Sequence, residues 1–244
     1  MRQAFPDRPA FGTAVSRAIL NRVAAGELPP TLRLHRPGPI LAFSRRDRAS
    51  PGFEAAVRAA REAGFEPVLR LAGGRAAVFH ERTLACSWAV PDSRPAARTT
   101  ERFREMAELL AAALSGLGID ARVGAVPREY CPGAWSVNAG GRTKLVGIGQ
   151  RLIAGGAHRG AVVVVGGSER IRDLLVPVYD ALGLDWDPAT AGGVEDEIGE
   201  VGLAAVEGAI LSGLGERHQL SEEELDTTTL ELAARLEPNH RVGP

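Results

Sequence analysis

The chain has 244 residues, of which 45% are apolar and 24% charged, and its formal net charge at pH 7 is −1. This length is sufficient to bury a full hydrophobic core as one large domain or as a domain with an appendage. Because the charge is nearly balanced and no basic face is clustered in the sequence, we expect no binding to nucleic acid or anionic lipid.

The cysteine content and the hydropathy pattern predict the compartment. Two cysteines do not suggest a disulfide framework, which favours a reducing compartment. No segment approaches the roughly 18 consecutive apolar residues of a membrane span. Pro6 and Asp7 stand where a signal peptide has its apolar region. We therefore expect a cytoplasmic protein that does not bind membranes.

The first ninety residues predict two helices and several strands. Apolar residues recur at helical spacing between residues 11 and 28, which favours a helix. A second helix is expected after Ser50, because serine can cap its N-terminus, Pro51 fits its first turn and Gly64 can end it. Apolar segments bounded by turn residues predict strands at residues 31–34, 40–43, 66–71, 75–80 and 83–90.

The next hundred residues add further strands and two more helices. Phe103, Met106, Leu110 and Leu114 recur at steps of three or four residues, which predicts an amphipathic helix over residues 100–114. Strands are expected at 119–123, in a hairpin around Gly140-Gly141 and at 162–165, with a helix at 169–182. Because strands and helices do not alternate strictly, we predict an α+β fold with a mixed, largely antiparallel sheet flanked by helices.

The Gly192-Gly193 pair is predicted to mark a boundary. Residues 1–190 would form the main domain, and residues 191–244 a C-terminal helical segment packed on the same domain. Ser221 and Glu224 have the spacing of a capping box, in which the serine bonds a helix N–H and the glutamate reaches back. A helix is therefore expected to start near Ser221.

Residues 128–151 place a nucleophile near a cation. Cys131 stands before a Pro-Gly turn, which predicts a loop, where functional residues concentrate. A thiolate attacks carbonyl carbon, and an ammonium such as that of Lys144 can favour the thiolate and hydrogen-bond the resulting oxyanion. Free cysteines also pack as small hydrophobic residues. We assign that role to Cys86 in its apolar strand, whereas both roles stay open for Cys131 on composition alone.

Residues 70–80 form a second block around Gly73 and Gly74. The pair separates two predicted strands and leaves room for a bound chain, although an ordinary hairpin has the same pattern. His80 is either a residue that orients a substrate or a hydrogen-bonded residue at a strand end. Arg70 is similarly open between an ion pair and the wall of a binding site. No metal site is predicted, because the histidines lack the spacing of zinc ligands.

Both blocks resemble those of a known family. The Tyr-Cys-Pro-Gly run at 130–133 and the Lys-Leu-Val-Gly-Ile-Gly-Gln-Arg run at 144–151 are similar to the lipoyl and octanoyl protein-attachment family. That family comprises lipoate-protein ligases, octanoyltransferases and, more distantly, biotin-protein ligases, and residues 70–80 resemble its glycine-pair element. The resemblance covers about residues 31–183 and is strongest to the cysteine-dependent octanoyl amidotransferases, which move octanoate from a lysine of the glycine-cleavage carrier protein to lysines of other lipoyl domains.

The resemblance implies transfer of an octanoyl or lipoyl group to lipoyl-domain proteins, namely the glycine-cleavage carrier protein and the E2 subunits of 2-oxoacid dehydrogenases. It implies a thioester on Cys131, with Lys144 stabilising the oxyanion. No cofactor would be needed, because one lysine amide replaces another. The implied acyl or substrate site comprises Arg70, Gly73, Gly74, Val78, His80, Gly147 and Gln150.

Two alternatives stay open. An ATP-dependent lipoate-protein ligase would activate lipoate as an adenylate with ATP and Mg, and Cys131 would then be incidental. A non-catalytic binding protein would retain the fold and an acyl pocket without turnover. Many ATP-dependent ligases of the family carry a third glycine where this chain has Arg75, which departs from their nucleotide-binding pattern.

Overall fold

The computed structural model describes residues 1–243, which form eight α-helices and nine β-strands. The helices are α1 (Pro9–Ala24), α2 (Arg45–Arg48), α3 (Phe53–Glu62), α4 (Thr99–Ser115), α5 (Ser168–Ala181), α6 (Val194–Ile198), α7 (Leu203–Gly215) and α8 (Thr227–Leu236). The strands are β1 (Thr31–His35), β2 (Ile40–Phe43), β3 (Glu66–Leu69), β4 (Ala77–Phe79), β5 (Thr83–Pro91), β6 (Ala121–Val123), β7 (Val137–Ala139), β8 (Thr143–Ile153) and β9 (Gly156–Val164).

The strands form two sheets. The six-stranded sheet has the order β1-β5-β9-β8-β7-β6, and all its pairs are antiparallel. The three-stranded sheet has the order β3-β2-β4, in which β2 pairs parallel with β3 and antiparallel with β4. The predicted α+β fold with a mixed, largely antiparallel arrangement is therefore confirmed.

Helices cover the outer faces of both sheets. Met106 and Leu110 of α4 and Ile210 of α7 share a core with the outer face of the large sheet. Val57 of α3 and Leu175 of α5 belong to the core that covers the small sheet. The remaining faces of the two sheets, together with α1, surround the cavity described below.

Local sequence patterns predicted most elements, and the hairpin between β7 and β8 shows why. Gly140 and Gly141 both have positive φ, of 56° and 75°, and are the central residues of a β-turn closed by the Arg142 N–H and the Ala139 carbonyl. Glycine suits both positions because it adopts positive φ without steric cost. Strand β9 begins at Gly156 and is longer than predicted. Its N-terminal half contains charged residues, whose pairing with β5 and β8 is decided across the sheet.

Two capping predictions are wrong. Helix α3 begins at Phe53 after Gly52, without a side-chain cap from Ser50. Residues 219–226 are not helical, and α8 begins at Thr227, where the Asp226 carboxylate accepts the N–H of Thr229 at 2.8 Å. The same carboxylate pairs with Arg22 of α1 at 2.6 Å. This tertiary contact fixes the helix start, whereas an isolated capping box contributes little.

The C-terminal helices lie on the same body as the sheets. Helix α7 packs on α4, and α8 packs on α1 through Leu230 and Ala233. The side chain of His240 bonds the Leu69 carbonyl oxygen at 2.7 Å. Within residues 1–243, no helix has the length and apolar character needed to cross a bilayer.

Candidate active site

The loop before β7 presents Cys131 in a strained backbone conformation. Cys131 has φ of 43°, a region that non-glycine residues rarely occupy. Such strain persists only where the surroundings hold it. The Cys131 N–H donates to the Tyr179 hydroxyl at 2.9 Å, and its carbonyl accepts from Lys144 Nζ at 2.8 Å. The loop therefore projects one particular side chain, that of Cys131.

Two donors of the 70–75 segment approach the sulfur. The Arg75 N–H donates to Cys131 Sγ at 3.1 Å, and Arg70 Nη1 lies 3.9 Å from it. The same Arg70 nitrogen donates to the Arg75 carbonyl at 2.7 Å, which orders the turn. A backbone dipole and a guanidinium directed at sulfur stabilise negative charge there. The two sequence blocks thus meet at the thiol.

Gly74 is the point of closest approach between the blocks. A Cβ at Gly74 would lie 2.8 Å from Cys131 Sγ and 3.1 Å from Arg70 Nη1, and its φ is +119°. Both the conformation and the space therefore require glycine. At Gly73 no heavy atom lies within 4 Å of an added Cβ, and its N–H donates to the Gln150 carbonyl at 3.2 Å. Both glycines are exposed, so they border the access to the thiol.

Lys144 is buried in a polar cluster beneath the Cys131 loop. Its Nζ donates to the carbonyl oxygens of Tyr130 and Cys131 at 2.9 and 2.8 Å and pairs with Glu129 Oε1 at 3.3 Å. Its side chain is 1% exposed and that of Glu129 0%. Burial lowers the pKa of Lys144 from its usual value, while Cys131 and Glu129 act in the opposite direction.

The arrangement gives Lys144 a structural task. An ammonium has three N–H donors, and each has a protein acceptor here. Glu129 in turn accepts the Gly133 N–H at 2.9 Å and the Ser136 hydroxyl at 2.7 Å. The pair therefore organises the turn on both sides of Cys131.

A cavity of about 110 Å³ extends from Cys131 and Lys144 between the two sheets. Its floor is the inner face of the large sheet. There, antiparallel pairing aligns residues of β8, β9, β5 and β1 into two rows that run across the strands. One row is Gly149, Gly160, Ser87 and Arg33, and the next is Gly147, Val162, Ala85 and His35. Ile40, Ala42, Val68, Ala77 and Phe79 of the small sheet line the opposite wall.

Glycines of the floor allow close packing near the thiol. A Cβ at Gly149 would lie 3.0 Å from the Gly73 carbonyl oxygen and 3.2 Å from Arg70 Nη2, and one at Gly147 would lie 3.4 Å from Lys144 Cε. Glycine at these two positions therefore lets the 70–75 segment and the Lys144 side chain pack directly on β8 beside Cys131.

Three residues predicted for the substrate site lie elsewhere. Val78 faces the α3 and α5 core, because alternation along β4 turns only its neighbours toward the cavity. The His80 ring accepts the Arg82 N–H at 3.1 Å and packs against Gly167. The Gln150 side chain accepts from Arg102 Nε at 3.0 Å and donates to the Thr99 carbonyl at 2.9 Å, which holds the start of α4.

Several contributors to the site escaped prediction from sequence. Arg75 acts through its backbone N–H, which no side-chain pattern reveals. Tyr179 comes from α5 and donates to the Ala76 carbonyl at 2.9 Å while accepting from Cys131. Glu129 was recognisable only as an acidic neighbour of Cys131. Its burial and its pairing with Lys144, 15 residues along the chain, are seen only in the tertiary structure.

Cys86 packs as predicted in the core of the large sheet, with 2% exposure. Burial raises the pKa of its thiol to about 12, so it is a poor nucleophile near neutral pH. Among residues 1–243, no group of three or more His, Cys, Asp or Glu side chains has the arrangement of a metal site.

Comparisons with known proteins identify the family. Residues 8–180 match the lipoyl protein ligase A/B catalytic domain. The chain belongs to this family. The family resemblance predicted from the two sequence blocks is therefore confirmed.

Individual relatives carry more specific names. The octanoyl-[GcvH]:protein N-octanoyltransferase of Geobacillus kaustophilus is 28% identical over 170 residues, which cover 70% of this chain and 60% of the relative. The octanoyltransferase LipM of Kyrpidia tusciae is 38% identical over 115 residues, covering 46% of this chain and 41% of the relative. The matched regions thus span only about half the length of these relatives.

The lipoyl protein ligase A/B fold is also evident in three dimensions. The structure resembles lipoate-protein ligase A, solved with bound ATP, with a TM-score of 0.78 and 19% identity over 98% of this chain and 93% of the other. At this identity the likeness establishes the fold, which agrees with the α+β architecture predicted from the sequence.

Proposed function

We propose that this protein transfers an octanoyl or lipoyl group to a lysine of a lipoyl-domain protein through a thioester on Cys131. The observation that carries the proposal is the position of the Cys131 sulfur, which meets the Arg75 N–H and Arg70 at one end of a largely apolar cavity. An acyl chain in the cavity would bring its carbonyl carbon to the thiolate. The names of the two relatives support the same reaction.

The chemistry balances as two successive exchanges. The Cys131 thiolate attacks the carbonyl carbon of an acyl-lysine amide, a C–S bond forms, and the C–N bond breaks as the donor lysine leaves with a proton. The acceptor lysine amine then attacks the thioester, a C–N bond forms as the C–S bond breaks, and the thiolate is released. The acceptor amine loses one proton in this step, which balances the proton taken up by the departing donor. Because one lysine amide replaces another, the exchange needs no ATP, Mg or other cofactor.

The structure suggests how the charges are divided. Arg70 and the Arg75 N–H are the donors nearest to the sulfur, so they are positioned for charge that develops at the reacting centre. Lys144 holds the two carbonyls that set the Cys131 conformation. For Lys144 to serve as the oxyanion donor, it must exchange one of these acceptors for the substrate oxygen.

The proposed partners follow from the reaction. The donor or acceptor is the glycine-cleavage carrier protein, as the name of the Geobacillus relative indicates for that protein, and the E2 subunits of 2-oxoacid dehydrogenases are further acceptors. Gly73 and Gly74 border the thiol on the exposed side, where a lysine of the partner can approach. Gly147 belongs to the floor on which the acyl chain would lie.

Intact-mass spectrometry tests the proposal. After incubation with octanoylated carrier protein, the wild-type enzyme should gain one octanoyl group, and a lipoyl domain added without ATP should then take it up. Cys86→Ser should behave like wild type, whereas Cys131→Ser should gain nothing. Lipoylation that needs ATP and survives Cys131→Ser would instead establish the ligase, and binding without either product would establish a non-catalytic acyl-binding protein.

A further inference from the structure

A second recess, of about 450 Å³, adjoins the acyl cavity and is strongly basic. We call it the arginine recess. No aspartate or glutamate lines it, and its arginines come from α1, α2, β8 and the segment after β3, so that only the fold brings them together. The residues that line it are Arg17, Arg45, Arg48, Arg70 and Arg151, with Leu69, Leu71, Pro238, Asn239 and His240.

The positive charge of the arginine recess is not neutralised by the protein. Among residues 1–243, none of its five arginines forms an ion pair with a carboxylate. Burial lowers the pKa of Arg17, and the nearby charges of Arg151 and Arg45 lower it further. Because these like charges repel one another, an anion in the recess would stabilise all of them.

A buried histidine at the arginine recess also lacks a partner. His240 is 4% exposed, and its Nδ1 donates to the Leu69 carbonyl at 2.7 Å, whereas Nε2 has no partner within residues 1–243. Burial lowers the pKa of His240, the bond to Leu69 acts in the opposite direction, and three arginines of the recess lower the pKa further. A bound anion would offset those charges, so Nε2 could take up a proton and donate to it.

The arginine recess borders the access to the thiol. Arg70 and Leu71 line both the recess and the acyl cavity. The exposed Gly73 donates its N–H to the Gln150 carbonyl at 3.2 Å, and Arg151 is the next residue of β8. The recess therefore begins directly beside the glycine pair that edges the thiol.

Helix α2 joins the recess to the same turn from the other side. Asp47 pairs with the Arg75 side chain at 3.3 Å, and the Arg75 N–H donates to Cys131 Sγ. Arg45 and Arg48 stand on either side of Asp47 in the sequence and are exposed. They form the rim of the recess, where a protein that presents a lysine to Cys131 would make contact.

A lysine that approaches Cys131 meets this positive charge, which opposes its approach unless the partner brings carboxylates with it. We propose that the arginine recess docks carboxylates that flank the target lysine of the lipoyl-domain partner. This inference rests on the proposed acyl-transfer function and adds how the partner is recognised. Arginine suits the task because its planar guanidinium binds a carboxylate through two parallel hydrogen bonds. Such complementary charge speeds association and fixes the register of the two proteins.

Charge reversal at the rim tests the inference. The variant Arg45→Glu/Arg48→Glu changes two exposed side chains that form no ion pair among residues 1–243. With octanoylated glycine-cleavage carrier protein as donor, kcat/KM for Cys131 thioester formation should fall at least about tenfold, mainly through KM, because attraction becomes repulsion. The loss should shrink between about 50 and about 500 mM NaCl, since salt screens exposed charges.

Matched controls separate docking from folding and from chemistry. Arg58→Glu/Arg235→Glu makes the same change in net charge at two exposed positions that line neither cavity, and it should stay within about twofold of wild type because distant charges are screened. Octanoyl-N-acetylcysteamine, an uncharged thioester, should acylate Cys131 of wild type and of Arg45→Glu/Arg48→Glu at equal rates. Carrier protein whose two carboxylates nearest the lysine are replaced by lysine should react faster with the rim variant than with wild type.

The outcomes distinguish this inference from the proposed function. Thioester formation from the carrier protein that is unchanged in the rim variant, or reduced equally in the Arg58→Glu/Arg235→Glu control, would overturn the docking surface and retain the transferase. Calorimetric binding of unacylated carrier protein that weakens in the rim variant, without a thioester from either donor, would retain the docking surface and reject the transferase. Binding of phosphatidylglycerol vesicles through these arginines, with no binding of carrier protein, would assign the recess to a membrane surface and overturn the inference.

Discussion

Lys144→Met should destabilise the fold and disable the thiol, because it removes the only cation paired with the buried carboxylate of Glu129 among residues 1–243. Methionine keeps most of the aliphatic length, so the change isolates the ammonium. The Tyr130 and Cys131 carbonyls would also lose their donor. Removing one partner of a buried ion pair costs about 3–5 kcal/mol. We expect the free energy of unfolding to fall by that amount.

Unfolding in guanidinium chloride measures the free energy of unfolding. The rate at which iodoacetamide alkylates Cys131, measured in a Cys86→Ser background, reports the conformation of the Cys131 loop. The rate should change because the strained φ at Cys131 depends on the Lys144 bond to its carbonyl. Transfer should fall on the order of a hundredfold or more, the scale of losing a donor at the reacting centre.

The double variant Glu129→Gln/Lys144→Met serves as the control. Glutamine can still accept from Gly133 and Ser136 without leaving a buried charge, so part of the stability should return, with about 1–3 kcal/mol still missing. A Lys144→Met protein within about 0.5 kcal/mol of wild type would refute the structural role. Activity loss would then point to the oxyanion role alone.

Three further predictions concern the thiols, the glycine pair and the C-terminal helix. Iodoacetamide at pH 7.5 should modify Cys131 in the folded protein. Cys86 should stay unmodified until the protein unfolds, because burial raises its pKa to about 12. Equal modification rates of the two thiols would contradict the assignment. Gly74→Ala should slow both the alkylation of Cys131 and acyl transfer more than tenfold, because the added Cβ meets the sulfur. Gly73→Ala should slow neither, because the space around Gly73 is open. Similar effects of the two substitutions would reject the steric argument. Hydrogen bonds lower the pKa of Asp226 to about 2, so its stabilising contribution should be present above its unfolded pKa and lost as pH falls toward 2. The melting-temperature difference between wild type and Asp226→Asn should accordingly shrink over that interval, and a constant difference would show that the carboxylate charge is irrelevant.

The sequence by itself determined the elements that depend on local patterns. Helix α4 followed from apolar residues at three- and four-residue steps, and the β7–β8 turn followed from Gly140 and Gly141, whose positive φ values no other residue adopts as readily. The two blocks that carry Cys131, Lys144 and Gly74 were also recognisable, because their residue types and order resemble one family.

Only the tertiary structure decided how these residues act. The Arg75 N–H and the Tyr179 hydroxyl reach Cys131 from segments 56 and 48 residues away, and no local pattern records such contacts. Val78 lies in one predicted strand with Ala77 and Phe79. In the structure, the strand pairs with β2, the Val78 side chain faces the core formed with α3 and α5, and the side chains of Ala77 and Phe79 face the cavity. Likewise, only the tertiary structure shows that Lys144 is buried and pairs with the buried carboxylate of Glu129. Local propensity sets the elements, whereas the long-range packing of two sheets sets the charges and contacts at the thiol.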